Sequence, residues 1–393
     1  MPKVNPEIES FARIVVIGIG GSGKNAVNHM INSKVKGVSF IAMNTDTQDL
    51  HHSLAEKKIH IGKNMTKGLG AGMNPDVGKK AAEETKSEIQ DVLKGADMVF
   101  ITCGMGGGTG TGAAPIVARS AREQGILTVA VITKPFFFEG NQRMKIAENG
   151  IDELSKEVDA IIIIPNDRLL ELTEPDTNFK DAFAKCDNVL RQAVEGISDL
   201  ITMPGIINVD FADIRAIMSN AGSALMGIGT ASGEKRAEKA ALQAINSPLL
   251  EVAINGAKGV LFAISGGDDI TIHEIKEAAK IITESIDKEA KVIFGTIKDE
   301  KAKKGEIKVT VIATNFGNEA SRKNLFSNSN NFNHTTLKEE NANTAKKEIH
   351  NSIQNRNESN IKTEKKSEPE EIVIEDDADE WSAVPAFLRR NKK

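Results

Sequence analysis

Two glycine-rich loops in this sequence have the composition of phosphate-binding sites. The first covers residues 18–25 and reads GIGGSGKN, and the second covers residues 104–112 and reads GMGGGTGTG. Each follows a short apolar run and precedes a segment of helical character, so backbone amides at the start of a helix can point at an anion. Thr109 and Thr111 add hydroxyl donors for phosphate oxygens. The loops therefore predict a site that binds a nucleotide through its phosphates.

The first loop fits two nucleotide motifs, and each fit is incomplete. From Gly18 it reads Gly-x-Gly-x-x-Gly, the dinucleotide fingerprint, but the next acid suited to ribose, Asp46, follows about 28 residues later instead of about 20. The same stretch reads Gly-x-x-x-x-Gly-Lys, yet Asn25 stands where a P-loop has the Ser or Thr that holds Mg²⁺. Both interpretations leave residues 104–112 without a role.

The elements around these loops predict a parallel sheet. Short apolar runs alternate with helical segments, and this alternation is typical of a sheet covered by helices on both faces. The predicted strands are residues 13–17, 38–43, 98–102, 127–133 and 160–165, and the predicted helices are residues 25–32, 79–94 and 113–124. Ligands of such sheets bind at the carboxyl ends of the strands, where both glycine loops fall.

The second half of the chain has a different pattern. Residues 187–202 form an amphipathic helix by their apolar spacing. Beyond them we expect helices at 211–219, 234–244 and 272–286, and strands at 259–265, 291–298 and 306–313 that pair antiparallel. The predicted fold is thus α/β: a Rossmann-like parallel-sheet domain joined by a long central helix to a smaller α+β domain, with a disordered C-terminal tail.

The tail is polar until its last residues. Residues 318–379 are rich in Asn, Lys, Glu and Ser and cannot bury enough apolar surface to offset the entropy of ordering, so we expect a disordered linker. The only tryptophan, Trp381, then stands near Phe387 and Leu388. We interpret residues 380–393 as a peptide that folds onto a partner, the alternative being a strand packed on its own body.

Composition and charge exclude several classes of protein. The net charge of -5, with 27% charged residues, gives no electrostatic reason to expect nucleic acid as a partner. Cys103 and Cys186 are far apart, which indicates free thiols instead of a disulfide framework or a zinc site. No apolar run is long enough to span a bilayer, and residues 1–10, a flexible N-terminus, lack a signal core. We expect a cytoplasmic protein without a membrane span.

Several short motifs resemble one family. Residues 106–112 resemble the signature loop of the tubulin superfamily. Residues 134–140 (KPFFFEG), 164–167 (IPND), 208–213 (NVDFAD) and 384–390 (VPAFLRR) are similar to motifs of its bacterial cell-division branch, the FtsZ family. The motifs occur in the family's order, and the resemblance covers residues 11–316 and the last dozen.

The resemblance implies a GTPase that polymerises head to tail into filaments of the bacterial division ring at mid-cell. It implies that Asp187 and Asn166 contact the base, Phe183 stacks on it, and Glu139 and Arg143 contact ribose and phosphate. A carboxylate at Asp187 accepts from both N1–H and the 2-amino group of guanine, and adenine offers neither donor. The full set of GTP-binding residues implied is Gly20, Gly21, Ser22, Gly23, Lys24, Asn25, Gly106, Gly107, Gly108, Thr109, Gly110, Thr111, Gly112, Glu139, Arg143, Asn166, Phe183 and Asp187.

The sequence departs from the family at two of these positions. Ser22 and Lys24 stand where the family more often has Gly and Asn. Lys24 either adds a phosphate contact or points to solvent. The resemblance implies Mg²⁺ bound with the nucleotide and K⁺ as a second cation, but no cluster of acids in the sequence identifies the Mg²⁺ ligands.

The acids Asp210 and Asp213 have two interpretations. Three residues apart at the start of a helix, they are suited to capping and to compensating the helix dipole. The resemblance implies instead that they enter the next subunit's nucleotide site and orient the attacking water, while Asn208 contacts phosphate. At the far end, the resemblance implies that membrane-tethering and regulatory division proteins bind Val384, Pro385, Phe387, Leu388, Arg389 and Arg390.

The implied domain boundaries are residues 11–186 for GTP binding, 187–208 for the central helix and its loop, and 209–317 for the GTPase-activating α+β domain. Two alternatives stay open from the sequence. One is a Rossmann-type NAD-binding oxidoreductase built on the first loop. The other is a GTP-binding scaffold that assembles without hydrolysis.

Overall fold

The computed structural model of the protein describes residues 12–171, 178–247, 250, 254, 256–299, 303 and 305–316. The expected flexible N-terminus at 1–10, the linker at 318–379 and the partner-binding peptide at 380–393 lie outside the described residues.

Six parallel strands form the first part of the sheet, in the order β3-β2-β1-β4-β5-β6. They are β1 (Ile14–Ile19), β2 (Val38–Asn44), β3 (Lys57–His60), β4 (Met98–Gly104), β5 (Leu127–Lys134) and β6 (Ala160–Pro165). The apolar runs of β1, β2, β4, β5 and β6 are largely buried because helices cover both faces, as in doubly wound sheets, whereas the edge strand β3 buries only Ile59. The chain moves outward from β1 to β2 and β3 and then returns to β4 on the other side of β1, which makes the β1–β4 boundary the topological switch point.

Eight helices belong to this part of the chain. They are α1 (Gly20–Asn32), α2 (Thr47–His51), α3 (Lys63–Thr66), α4 (Pro75–Glu84), α5 (Lys86–Leu93), α6 (Thr109–Glu123), α7 (Asn141–Ser155) and α8 (Asn166–Glu171). The single helix predicted at 79–94 is wrong, because the chain breaks at Thr85 into α4 and α5. The Thr85 hydroxyl binds the Ala81 carbonyl and accepts from the Gly62 amide, which ties the break to the start of α3.

A long helix, α9 (Phe179–Thr202), follows. It begins eight residues before the predicted start at 187, since Asn178 caps it by accepting from the Asp181 amide. Its apolar face packs into one continuous core that includes Ile162 of β6 and residues from the second half of the chain.

Among its described residues, the second half adds four strands and three helices. They are α10 (Phe211–Met218), β7 (Gly222–Ser232), α11 (Arg236–Ile245), β8 (Ala257–Gly266), α12 (Ile272–Glu284), β9 (Lys291–Lys298) and β10 (Glu306–Phe316). As predicted, β10 runs antiparallel, and it does so to both β7 and β8. The prediction is wrong for β9, which lies parallel to β8 because α12 forms the crossover that a parallel pair requires.

The two halves share one sheet. Strand β7 pairs parallel with β6 through three residue pairs, Ala160 with Gly222, Ile161 with Ser223, and Ile162 with Ala224. The resulting order is β3-β2-β1-β4-β5-β6-β7-β10-β8-β9. This mixed α/β architecture with a mostly parallel sheet confirms the predicted fold class. The domain boundaries at 186/187 and 208/209 stay predictions.

Candidate nucleotide site

A cavity of about 370 Å³ opens at the carboxyl ends of the parallel strands, next to the switch point between β1 and β4. It collects most of the residues that the sequence proposed for nucleotide binding, although they are spread over more than half of the described chain. Those that line it are Gly20, Gly21, Ser22, Asn25, Gly107, Gly108, Thr109, Gly110, Glu139, Arg143, Asn166, Phe183 and Asp187.

Two helices begin at this cavity. Helix α1 starts at Gly20 and α6 at Thr109, and neither has a side-chain N-cap or an acid in its first turn. Helices α2, α9, α10 and α12, by contrast, each begin with a side-chain cap. Backbone N–H groups at the start of α1 and α6 thus have no capping side chain, and both helix dipoles place partial positive charge at the cavity. This arrangement is suited to an anion with several oxygens.

The two loops touch each other through glycines. Gly20 has a φ of +72°, and a Cβ there would lie 3.2 Å from the Gly110 amide nitrogen. A side chain at Gly20 would therefore be strained by its backbone and by the second loop. The close approach lets one ligand contact both loops at once.

Glu139 and Arg143 form an ion pair on the cavity wall. Glu139 ends a short 3₁₀ turn (Phe137–Glu139), and Arg143 lies in the first turn of α7. The Arg143 Nε lies 3.0 Å from Glu139 Oε2, and Glu139 Oε1 accepts from the Phe136 amide at 2.9 Å. The carboxylate is thus fixed to the backbone and in turn orients the guanidinium, whose fork suits phosphate oxygens.

Three further side chains line the cavity. Asn166 is 5% exposed, and its Oδ1 has no hydrogen-bond partner among the described residues. Phe183 packs edge to face on Phe136, with ring centroids 5.1 Å apart. Desolvation raises the pKa of Asp187 to about 7, partly opposed by the positive charge of Lys24. An unsatisfied acceptor, an aromatic face and a carboxylate are the groups that a purine with N–H donors can use.

Five proposed binding residues do not line the cavity. Gly106, Thr111 and Gly112 support the second loop, as the Thr111 hydroxyl accepts from the Gly106 amide at 2.9 Å. Gly23 lets α1 approach β4, because a Cβ there would lie 2.4 Å from the Thr102 carbonyl oxygen. Lys24 does not point to solvent: it is 2% exposed and lies 2.9 Å from Asp49 Oδ1.

Part of the wall consists of residues outside the set that the resemblance implies for GTP binding. Asn44, Asp46 and Asp49 line the cavity, as do residues 69–73 and several residues at the ends of β1, β4 and β5. Asp46, considered as a ribose ligand, accepts from the Asp49 amide and caps α2. Two signals were present in the sequence: Asn44 and Asp46 directly follow β2, and residues 67–78 are rich in glycine.

Asn208, Asp210 and Asp213 lie away from this cavity and are exposed. Asp210 caps α10 by accepting from the Ala212 amide at 3.3 Å. The preceding segment is fixed to β9, because the Ile207 amide donates to Thr296 Oγ1 at 2.8 Å and the Ile207 carbonyl accepts from the Thr296 amide at 3.0 Å. These acids thus follow the C-terminal end of α9, whereas Asp187 lies near its N-terminal end.

The remaining predictions concern thiols, metals and the tail. Cys103 and Cys186 are both buried and unpaired with each other, and burial raises the pKa of each thiol to about 12. Within the described part of the chain, no group of three His, Cys, Asp or Glu side chains is arranged to hold a metal ion. Nor does any described helix combine the length and apolar character needed to cross a bilayer. The proposed partner-binding residues 384–390 lie outside the described residues.

Comparison with known proteins gives matches over most of the chain. The GTPase domain of the Tubulin/FtsZ family matches residues 13–174, and the FtsZ family C-terminal domain matches residues 222–317. An FtsZ from M. jannaschii, solved as an empty dimer, is 45% identical with a TM-score of 0.74, over 78% of this chain and 88% of that one.

Two more distant solved structures share the fold. CetZ1 from Haloferax volcanii, a GDP-bound monomer, is 19% identical with a TM-score of 0.69, over 80% of this chain and 98% of that one. CetZ2 from the same organism, a GTPγS-bound protofilament, is 18% identical with a TM-score of 0.65, over 80% of this chain and 99% of that one.

Proposed function

Because the chain belongs to the Tubulin/FtsZ family and is a polymerising cytoskeletal GTPase, we propose that it hydrolyses GTP at the contact between two successive subunits. It binds GTP and GDP, and it associates with itself, as its family membership establishes. The matches give no support to an NAD-binding oxidoreductase or to a scaffold that does not hydrolyse GTP.

In the proposed complex, the cavity holds GTP with its phosphates at the starts of α1 and α6. The uncapped amides of both helices support this orientation, since they offer the donors that phosphate oxygens need. Arg143 adds positive charge on the same wall, and Glu139 faces the ribose. The guanine base lies between Phe183, Asn166 and Asp187, where the unsatisfied Asn166 oxygen finds a donor.

The observation that carries the proposal is the position of Asp210 and Asp213 relative to the cavity. Asp187 lines the cavity, and from there α9 carries the chain to Thr202, a distance of about 22 Å at the helical rise per residue. Val209 lies near the C-terminal end of α9, because the side chains of Val209 and Leu200 both approach Gly295 in β9. One subunit thus has a nucleotide cavity at one end and an exposed pair of acids at the other.

A second subunit stacked head to tail brings its acids to the first subunit's nucleotide. Hydrolysis then proceeds by attack of water on the γ-phosphorus, with cleavage of its bond to the β–γ bridging oxygen and release of GDP and phosphate. Asp210 and Asp213 accept hydrogen bonds from the water and orient it, and Asn208 contacts a phosphate oxygen. Positioning of this kind supplies most of the catalysis in phosphoryl transfer.

Mg²⁺ and K⁺ belong to the proposal as ions held mainly by the nucleotide and water. The lack of an acidic cluster among the described residues supports this assignment, because Mg²⁺ commonly keeps several waters and binds through substrate phosphates. When bound, such ions neutralise charge that develops on the phosphates.

Head-to-tail contacts whose rotation does not close produce an open filament. We place these filaments in the bacterial cytoplasm at the mid-cell division site, where residues 384–390 recruit tethering and regulatory proteins. The apolar and basic composition of that peptide supports a protein partner.

The experiment is GTP turnover per molecule as a function of protein concentration, with Mg²⁺ and K⁺ present. Turnover is expected to be negligible below a threshold concentration and to rise above it, because the site is complete only between subunits. Asp213→Ala is expected to abolish the rise while GTP still binds. Asp213 is the sharper choice, since Asp210 also caps α10.

Asp287→Ala provides a matched control, because Asp287 is an exposed aspartate that accepts a backbone amide, from Glu289, elsewhere on the surface. It is expected to behave as the unmodified protein. Turnover per molecule that stays constant down to high dilution would show that one subunit carries the whole site, and the interface assignment would be wrong.

A further inference from the structure

A buried ion pair lies directly behind the cavity wall. Lys24, in the first turns of α1, is 2% exposed, and Asp49, in α2, is 3% exposed. Lys24 Nζ lies 2.9 Å from Asp49 Oδ1. Isolated charges are costly to bury, and each of these two depends on the other for compensation.

The pair continues into a hydrogen-bonded path between the two phosphate loops. Asp49 Oδ2 accepts from Asn44 Nδ2 at 2.9 Å, and Asn44 Oδ1 accepts from the Thr45 amide at 2.9 Å. The Thr45 hydroxyl lies 2.6 Å from the hydroxyl of Thr109, the first residue of α6. Lys24 in the first loop is thereby connected to the start of the helix that follows the second loop.

The path contains one group whose charge opposes the proposed ligand. Asp49 and Asn44 line the cavity, whereas Lys24 does not. A carboxylate on the wall of a phosphate site repels the nucleotide unless an adjacent cation neutralises it. The Asp49 carboxylate also lies close to the first loop, since its Oδ2 would be 3.5 Å from a Cβ at Gly21.

From this geometry we propose that Lys24 is a positioning residue that acts on GTP through Asp49 and does not contact phosphate. It neutralises Asp49, so that the carboxylate can hold Asn44 and the Thr45–Thr109 contact in place without repelling the phosphates. The inference rests on the proposed nucleotide site. The Lys24–Asp49 ion pair also explains how the glycine-rich first loop accommodates a lysine. The Lys24 ammonium group contacts Asp49 and does not line the cavity.

The charge of Lys24 has a second consequence inside the same cavity. It favours the ionised form of Asp187 and so opposes the effect of burial on that pKa. The charge of one buried cation therefore acts on two carboxylates, Asp49 by direct contact and Asp187 through its pKa, and both carboxylates line the cavity.

The test is a charge cycle in the full-length protein with three variants: Lys24→Met, Asp49→Asn and the double variant. Equilibrium affinities are measured for GTP, GDP and GMP at an alkaline pH, where Asp187 stays ionised with or without the charge of Lys24, and at subunit concentrations below the assembly threshold. Lys24→Met is expected to weaken GTP binding by about tenfold or more, since it leaves an uncompensated carboxylate near the phosphates. The loss is expected to decrease from GTP to GDP to GMP as the phosphate charge decreases.

The GTP affinity of the double variant decides whether Lys24 acts through Asp49 or binds phosphate directly. Because this variant removes both charges, GTP affinity is expected to return to within about threefold of the unmodified protein. A double variant as weak as Lys24→Met would show that Lys24 binds phosphate directly, and the proposal would be wrong. An equal loss of affinity for GTP, GDP and GMP in Lys24→Met, or no loss of affinity, would also contradict the proposal.

Two controls keep the outcomes distinct. Thermal unfolding of each nucleotide-free variant reports whether it folds. If Lys24→Met does not fold, the double variant, which contains no buried charge at either position, still decides between the two roles of Lys24. Absence of GTP binding by the unmodified protein would contradict the proposed function itself, whereas unchanged binding in the variants would contradict only the role of Lys24.

Discussion

At the scale of single residues, Asp187 is the residue that we propose selects guanine in the cavity. Asp187 lines the cavity, and burial raises the pKa of its carboxyl group to about 7 in the nucleotide-free protein. Only the ionised form accepts both donors of guanine. The protonated form presents an O–H to the N1–H of the base, so guanine binding has to release a proton when the pH is below the pKa.

This predicts a pH dependence of nucleotide affinity. GDP affinity is expected to fall as the pH decreases through about 7, with a slope that approaches tenfold per pH unit at lower pH. Calorimetric titration between pH 8 and pH 5.5 measures the slope. Asp187→Asn is expected to bind GDP weakly and to lose the part of the pH dependence that comes from the Asp187 carboxyl group. Titration of the GDP phosphates contributes equally in both proteins. Identical slopes in both proteins would contradict the assignment of Asp187 to the base.

Residue types alone predicted the second glycine loop but not the position of Asp49 on the cavity wall. Glycines and threonines in fixed order predicted the second loop, because few other roles require that composition directly after a strand. Asp49 could not be found this way, since a single Asp in a polar segment has many ordinary roles. Its position became meaningful only when the fold placed it 2.9 Å from Lys24, which is 25 residues away in the chain.

At the scale of elements, glycine has two different uses in this fold. In β7, Gly227 and Gly229 allow α11 to lie directly against the strand, and a Cβ at Gly229 would lie 2.0 Å from the Ala240 carbonyl oxygen. The facing residues of α11 are alanines, including Ala240 and Ala244, both fully buried. At the cavity, by contrast, a Cβ at Gly107 would meet nothing within 4 Å.

The contrast gives a paired prediction. Gly229→Ala is expected to lower the free energy of unfolding by about 1–3 kcal/mol, because the helix backbone has to move away from the strand. Gly107→Ala is expected to keep the stability and to weaken GTP binding, because the methyl group points into the space proposed for phosphate. Chemical unfolding and GTP titration of both variants measure the two effects. A destabilised Gly107→Ala, or a fully stable Gly229→Ala, would contradict these packing assignments.

Apolar spacing predicted some elements of this fold and missed others. Strands β1, β2, β4, β5 and β6 are continuous apolar runs, which sequence patterns identify readily, whereas the short edge strand β3, with one buried apolar residue, was missed. Strand β7 was missed because its glycines, small residues and partial exposure conceal the pattern. The early start of α9 depends on the cap at Asn178, and the parallel orientation of β9 depends on α12 as its crossover, neither of which is expressed in apolar spacing.

At the scale of the whole molecule, the cavity lies toward the N-terminal end of α9 and the acid pair follows its C-terminal end. In the proposed filament, each subunit would therefore offer half of a catalytic site in each direction. A subunit with a defective nucleotide cavity still offers its acids. One with defective acids still offers its cavity.

Mixing two inactive variants is therefore expected to restore activity. Asp187→Ala alone and Asp213→Ala alone are expected to be nearly inactive. An equal mixture that copolymerises at random is expected to recover up to about a quarter of the normal turnover, because one contact in four joins an intact cavity to intact acids. Phosphate release in the mixture measures this. A mixture that is no more active than the two separate proteins, despite copolymerisation, would contradict a site shared between subunits.

The three-pair contact between β6 and β7 has a mechanical consequence. It is the shortest pairing between neighbouring described strands, whereas β7 and β10 share eight pairs. In the proposed filament, tension passes from the cavity of each subunit, in the first half of the chain, to the acid pair in the second half, and so would meet this narrow joint in the sheet. Helix α9 crosses the joint and shares one apolar core with both sides, so it carries load in parallel with the strands. The elasticity of the filament then depends on the interior of the subunit as well as on the contacts between subunits.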